Sequence, residues 1–192
     1  MSDQTSAAEV LLFWFGGADE RGKRHKRWFE KNPAFDREIR DRFLSLHEQA
    51  ALGKLSHLKE NARDCLALIV LLDQFPRNMF RSSPRAFATD ALALDAARHA
   101  VAQGYDHALL PVERMFVYLP FEHSEALADQ VKACELCQPL ENFVETADAY
   151  RYAVRHREIV QRFGRFPHRN AILGRASTPQ EIEFLKTPGS GF

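Results

Sequence analysis

Apolar residues recur along this chain at intervals of three and four and almost never alternate with polar ones. Three-to-four spacing returns side chains to one face of a helix, whereas a half-buried strand alternates. The pattern therefore predicts an all-α protein. Ser6-Ala7-Ala8-Glu9 reads as a capping box, in which the Ser oxygen accepts the N3 amide and Glu9 reaches back to the cap. It opens a short helix that Gly16 ends. A second helix follows Asn32-Pro33, with Phe35, Ile39, Phe43, Leu46 and Ala50 at helical spacing and Gly53 as its stop. A third runs from Asn61 to Gln74. Its run Cys65 to Leu72 is apolar all round, which marks a central, buried helix, and Pro76, having no backbone donor, is expected to stop it.

Ser83-Pro84 has the form of an N-cap followed by proline at the first helical position. The helix it predicts carries Phe87, Ala91, Leu94, Ala97 and Val101 on one face and ends near Gly104. Leu110-Pro111 starts a short helix that Pro120 should close, and another runs from about Ser124 to Cys137. A segment after Pro139 reaches Phe163, where Gly164 suits a left-handed C-cap. Thr178-Pro179-Gln180-Glu181 opens a last short helix, and the tail from Thr187 is expected to be loose unless Phe192 docks. Helices of this length joined by short turns favour stacked antiparallel pairs. No linker rich in Pro, Gly or Ser divides the chain, so residues 1–192 are expected to form one domain.

Composition narrows the function classes. The 26 basic and 26 acidic residues cancel, which argues against the basic footprint of a nucleic-acid-binding domain. The apolar run Val10 to Phe15 is too short to span a bilayer and does not resemble a signal peptide. Three cysteines fit a reducing cytoplasm better than a disulfide framework. No membrane partner and a cytoplasmic location are therefore expected. Fifteen Phe residues suit a helical core or a pocket wall equally.

The candidate chemistry sits in three polar turns. In Leu72-Asp73-Gln74-Phe75-Pro76-Arg77-Asn78 and again in Phe163-Gly164-Arg165-Phe166-Pro167-His168-Arg169-Asn170, Phe-Pro follows a helix and Arg and Asn come directly after. Cations beside a helix C-terminus offset its partial negative charge. Two Arg and a His within five residues exceed that need, and surplus donors suit a carboxylate or phosphate, which Arg engages as a fork. Asp73 with Arg77 or Arg81 reads either as an internal salt bridge or as an acid that holds an Arg toward a ligand. His156 lies beside an apolar stripe, as a core histidine or as an acid–base group. The third turn, Pro120-Phe121-Glu122-His123-Ser124-Glu125, offers carboxylates and a His at an expected helix start. Its two-residue spacing puts His123 and Glu125 on different faces, so no metal is expected there. Cys134-Glu135-Leu136-Cys137 is a lone pair of thiols without zinc-ribbon or thioredoxin context, and no nucleotide or cofactor fingerprint occurs.

These motifs, together with Ala86-Phe87-Ala88-Thr89-Asp90-Ala91-Leu92, Glu113-Arg114, Tyr118, Leu173-Gly174-Arg175, Ser177-Thr178 and Pro188-Gly189-Ser190, resemble the bacterial DUF924 family across nearly the whole chain. The resemblance implies an all-helical fold similar to tetratricopeptide repeats and carries no settled activity. Family members often have Met where this chain has Glu122, so Glu122 is not an obligatory ligand, and they tend to carry Trp near Leu58.

The expected function is a binding protein for an anionic small molecule or peptide, in a groove lined by the three turns. Asp73, Arg77, Asn78, Arg81, His123, Glu125, His156, Arg165, His168, Arg169 and Asn170 are the candidate ligand residues, with Arg77, Arg165 and Arg169 on the anion. The alternative is an enzyme of hydrolase type. There His156 or His123 acts as general base, Glu125 or Asp73 orients it, and the arginines stabilise developing negative charge. No cofactor is expected in either reading. Turns with a purely structural role would instead pair every Arg internally.

Overall fold

The computed structural model describes residues 3–191, and among them helices and turns account for all regular structure, with no strand. Helix α1 (Asp3–Phe15) begins before Ser6, so the predicted cap lies inside the helix; the side chain of Ser6, like Phe192, lies outside the described residues. Gly16 ends α1 at φ 81°, a left-handed conformation open to glycine. Helix α2 (Pro33–Ala51) is capped as expected: the Asn32 side chain accepts the amides of Ala34 and Phe35. Its apolar stripe of Phe35, Ile39, Phe43 and Ala50 is buried.

Helix α3 (Ala62–Ile69) has Asn61 as its cap and buries every residue from Cys65 to Ile69. The chain does not stop at Pro76. It widens into a π-helical turn over Val70–Gln74 and continues as α4 (Phe75–Met79). The reason is local. Proline has no N–H, and its ring clashes with the carbonyl four residues back, so a regular turn is blocked here. In the widened turn the Phe75 amide reaches back to the Val70 carbonyl. The freed carbonyls find side chains instead: His47 Nδ1 lies 2.9 Å from Leu71 O, and Thr89 Oγ1 donates to Leu72 O at 2.6 Å. Such π-turns often mark functional positions, and this one carries Asp73 and Gln74.

Helix α5 (Asp90–Ala102) starts later than predicted, because Ser83-Pro84 caps only a short 3-10 turn, Pro84–Phe87. Of its predicted stripe Ala97 is buried, Phe87, Leu94 and Val101 pack partly buried against the core, and Ala91 is exposed; the buried face is Ala93, Ala96, Ala97 and Ala100. These small residues let neighbouring backbones approach. Helix α6 (Pro111–His123) also runs through its proline, Pro120, and ends at His123. The predicted helix from Ser124 therefore begins only at α7 (Leu127–Cys137), and His123, Ser124 and Glu125 form a corner between the two. The Gln130 side chain caps that corner, donating to the carbonyls of Glu122 at 2.7 Å and Ser124 at 2.5 Å. Helix α8 (Ala149–Phe163) ends at Gly164, which is left-handed as predicted, φ 69°. Helix α9 (Pro179–Leu185) opens with the Thr178–Glu181 capping box.

Packing runs stepwise through the molecule: α1 on α3, α3 on α5, α5 on α6, α6 on α7 and α7 on α8, with α2 against α4. Much of the aromatic excess goes into the first layers, where Phe13, Trp14, Phe15, Trp28, Phe35, Phe43, Phe75 and Phe116 are buried in one core. Trp14 and Trp28 meet the Phe116 ring edge-on at 5.6 and 4.8 Å. A smaller cluster of Ile159, Val160 and Phe166, with Phe163 and Phe184 against it, holds the end of α8. Among the described residues no helix is long and apolar enough to cross a membrane.

Candidate functional site

The π-turn, the α6–α7 corner, the start of α5 and the segment after α8 meet at one place. There side chains close into a ring. His123 Nδ1 lies 2.7 Å from Asp73 Oδ1, and Arg77 Nη1 lies 3.2 Å from the same oxygen. Arg77 then forks onto Asp90 at 2.9 and 3.0 Å. Asp90 Oδ2 accepts Arg169 Nη1 at 3.3 Å. The Arg169 guanidinium lies 4.6 Å from the centre of the Phe166 ring and 4.7 Å from that of Phe87. Phe166 meets His156 edge-on at 5.6 Å, and His156 meets His123 at 6.3 Å, which completes the circuit.

Each member is placed by a local feature. The wide turn carries Asp73 into the interior, where none of it is exposed. Arg77, one turn later, reaches back over the carbonyl of Asp73 at 2.6 Å. Asp90 opens α5, where an acidic residue is favoured by the helix dipole. Arg169 closes the 3-10 turn Pro167–Arg169 that follows the Gly164 stop.

The electrostatics follow from burial and pairing. Burial alone would raise the Asp73 pKa, but Arg77 and His123 outweigh it and bring it to about 2, so the carboxylate is ionised. Burial and Arg77 together push His123 down, partly offset by Asp73. Burial takes His156 to about 3, and burial with the Arg169 charge takes His168 to about 4. Burial and the nearby Arg77 lower Arg169 to about 10, still a cation at neutral pH. Behind the ring, burial raises Glu122 to about 8, so it is a neutral acid at neutral pH. It accepts the Cys137 thiol at 3.4 Å and sits 3.4 Å from His156 Nδ1, which is itself 2.8 Å from the Tyr152 carbonyl.

Two atoms of the ring are uncommitted. Arg169 is 6% exposed, yet among the described residues its Nε has no acceptor and the bond to Asp90 is the guanidinium's single hydrogen bond. His123 has its Nδ1 on Asp73 and no hydrogen bond at Nε2 among the described residues, at a side chain 13% exposed. Among those residues no group of three or more His, Cys, Asp or Glu is placed to hold a metal ion.

Of the residues singled out from the sequence, Asp73, Arg77, His123, His156 and Arg169 converge, with His168 beside Phe166 at 5.6 Å. The others are placed elsewhere. Asn78 and Arg81 both bind Asp36 of α2, at 2.8 Å and at 2.5 and 2.9 Å. Arg165 does not face an anion with Arg77 and Arg169. It forks onto Glu181 of α9 at 2.7 and 2.8 Å. Glu125 does not orient a histidine: it accepts the Phe166 amide at 2.8 Å and a fork from Arg175 at 2.7 and 2.9 Å. Asn170 bonds Ser177 and Arg175, both at 3.0 Å. The sequence reading missed Asp90, Phe87 and Phe166 as members of the ring. Arginine in excess of its local acids was the available signal, since a buried guanidinium needs an acid from some other segment.

Comparisons with known proteins agree with this architecture. The profile of a family described as bacterial proteins of unknown function, DUF924, matches residues 10–189. A solved structure of a protein of unknown function from Agrobacterium tumefaciens is 44% identical and superimposes with a TM-score of 0.86, over 96% of this chain and 99% of that one. No curated protein matches. The chain belongs to the DUF924 family.

Proposed function

We propose that this DUF924 protein binds a small anion, a carboxylate or phosphate compound, at the mouth of the ring, with Arg169 as the anchor. One observation carries the reading. Arg169 is a buried cation over the rings of Phe87 and Phe166, with one long hydrogen bond among the described residues, to a carboxylate it shares with Arg77. A buried charge is retained at high cost unless its donors are used, and a guanidinium offers five in a plane that suits carboxylate and phosphate. Contact with the Phe87 and Phe166 rings holds the guanidinium in place, with donors that Asp90 does not use. Arg77, 19% exposed, adds positive charge at the same rim. The protein works in the cytoplasm, a reading supported by an odd number of cysteines, three, without a disulfide framework's spacing.

A thermal-shift screen with small carboxylates and phosphates tests this. Saturation at about a hundred times the dissociation constant adds about 2.7 kcal/mol of stability. The expected result is an anion-dependent shift that Arg169→Met abolishes. A shift of equal size in Arg169→Met would overturn the reading.

The Asp73–His123 pair favours a second reading, an enzyme in which His123 is general base to the bound molecule. Turnover of nitrophenyl esters or phosphates that His123→Gln removes would establish it, and equal turnover in both proteins would reject it.

A further inference from the structure

We infer that the anion taken by this site carries its own hydrogen-bond donor beside the charge, as a 2-hydroxy carboxylate or a hydrogen phosphate does. The inference rests on the anion-binding reading above and concerns the polarity of its second contact.

The argument is one of donors and acceptors. Asp73 is an ionised, fully buried carboxylate and therefore only accepts. Three groups converge on it: His123 Nδ1 at 2.7 Å, Gln74 Nε2 at 2.5 Å and Arg77 Nη1 at 3.2 Å. His123 must then carry its proton on Nδ1. A neutral imidazole has one N–H, so Nε2 is left as a bare lone pair. Burial and the Arg77 charge oppose adding a second proton there. The ring thus holds two unlike partners, a guanidinium that only donates and an imidazole nitrogen that only accepts.

An anion made of acceptors alone answers the first and not the second. It would strip water from Nε2 and leave that acceptor unpaired in a half-buried position, which costs the whole desolvation penalty. An anion that brings an O–H answers both. Sites built to bond a ligand hydroxyl reject the analogue without it far more strongly than apolar pockets reject a missing methylene.

Calorimetric titration at pH 7 with two matched pairs of probes tests this: glycolate against acetate, and phosphate against sulfate. The member with a donor is expected to bind at least about tenfold more tightly in whichever pair binds, and that pair identifies the source of the anion. Equal affinity within every binding pair overturns the inference and leaves the anion site intact. If no probe binds and Arg169→Met behaves as the wild type, the anion-binding reading falls and the inference falls with it. Nitrogen NMR of the wild-type ring reads the same point without a variant: a bare Nε2 supports it and a protonated Nε2 rejects it.

Discussion

The Thr89 hydroxyl donates to the Leu72 carbonyl at 2.6 Å, filling the place that Pro76 leaves vacant in the helix below it. Both groups are buried, so the bond has no water to replace it. Thr89→Val, of nearly the same shape, strands the carbonyl and is expected to cost about 1–3 kcal/mol. Thr89→Ser keeps the hydroxyl and should retain most of that stability. Urea denaturation of the two variants measures the difference.

Asp73 compensates two groups at once, His123 and Arg77. Asp73→Ala leaves the buried Arg77 sharing Asp90 with Arg169, two cations on one carboxylate. Removing one partner of a buried pair costs about 3–5 kcal/mol. The variant is expected to lose that much in equilibrium unfolding, whereas Lys186→Ala, at the exposed pair with Glu183, should lower the melting temperature only slightly and leave anion binding unchanged.

Stability should peak near pH 6.5. His156 and His168 have folded pKa values near 3 and 4 against an ordinary 6.5, so below 6.5 the unfolded chain takes protons that the folded chain refuses. Their stabilisation is complete above 6.5 and is lost as the pH falls toward 4 and 3. Glu122 has the opposite sign. Its pKa is raised from 4.5 to about 8, so its stabilisation is complete below 4.5 and is lost as the pH rises toward 8. Each proton of difference is worth about 1.4 kcal/mol per pH unit. Between 4.5 and 6.5 the two histidines outweigh the one carboxyl, and between 6.5 and 8 Glu122 acts alone among these three. Glu122→Gln should therefore flatten the melting curve from pH 6.5 to 8 while leaving the acid side in place. A melting temperature of the wild type that stays constant from 6.5 to 8 would refute the assignment.

Glu125 holds the segment after α8 from across the structure, through the Phe166 amide and Arg175. Glu125→Ala is expected to speed hydrogen exchange at Phe166 and at neighbouring amides of the Pro167–Arg169 turn, with little change in α3. Protection at Phe166 equal to that of the wild type would show that the contact does not position the turn.

Much of the helical framework was legible in residue order because its signals are local. Asn32 ahead of Pro33, Gly164 after Phe163 and the Thr178–Glu181 box act on backbone groups within a few residues, and each sits where predicted. Prolines misled for the same reason. Pro76 and Pro120 read locally as stops, yet both lie in helices that continue. At Pro76 the lost helical bonds are replaced by His47, 24 residues before Leu71, and Thr89, 17 residues after Leu72.

The candidate site divides along the same line. Residue order alone was enough to single out Asp73, Arg77, His123, His156 and Arg169 as candidates, each with a structural reading beside the functional one. It also singled out Arg165, Arg81 and Glu125, which only the tertiary structure separates from them, because a guanidinium is spent or available according to which acid from another segment reaches it. Glu181 and Asp36 reach Arg165 and Arg81; Arg169 shares Asp90 with Arg77 and keeps its remaining donors. Helix type follows from periodicity and caps within a single turn, while the availability of a charge is decided by distances between segments far apart in the chain.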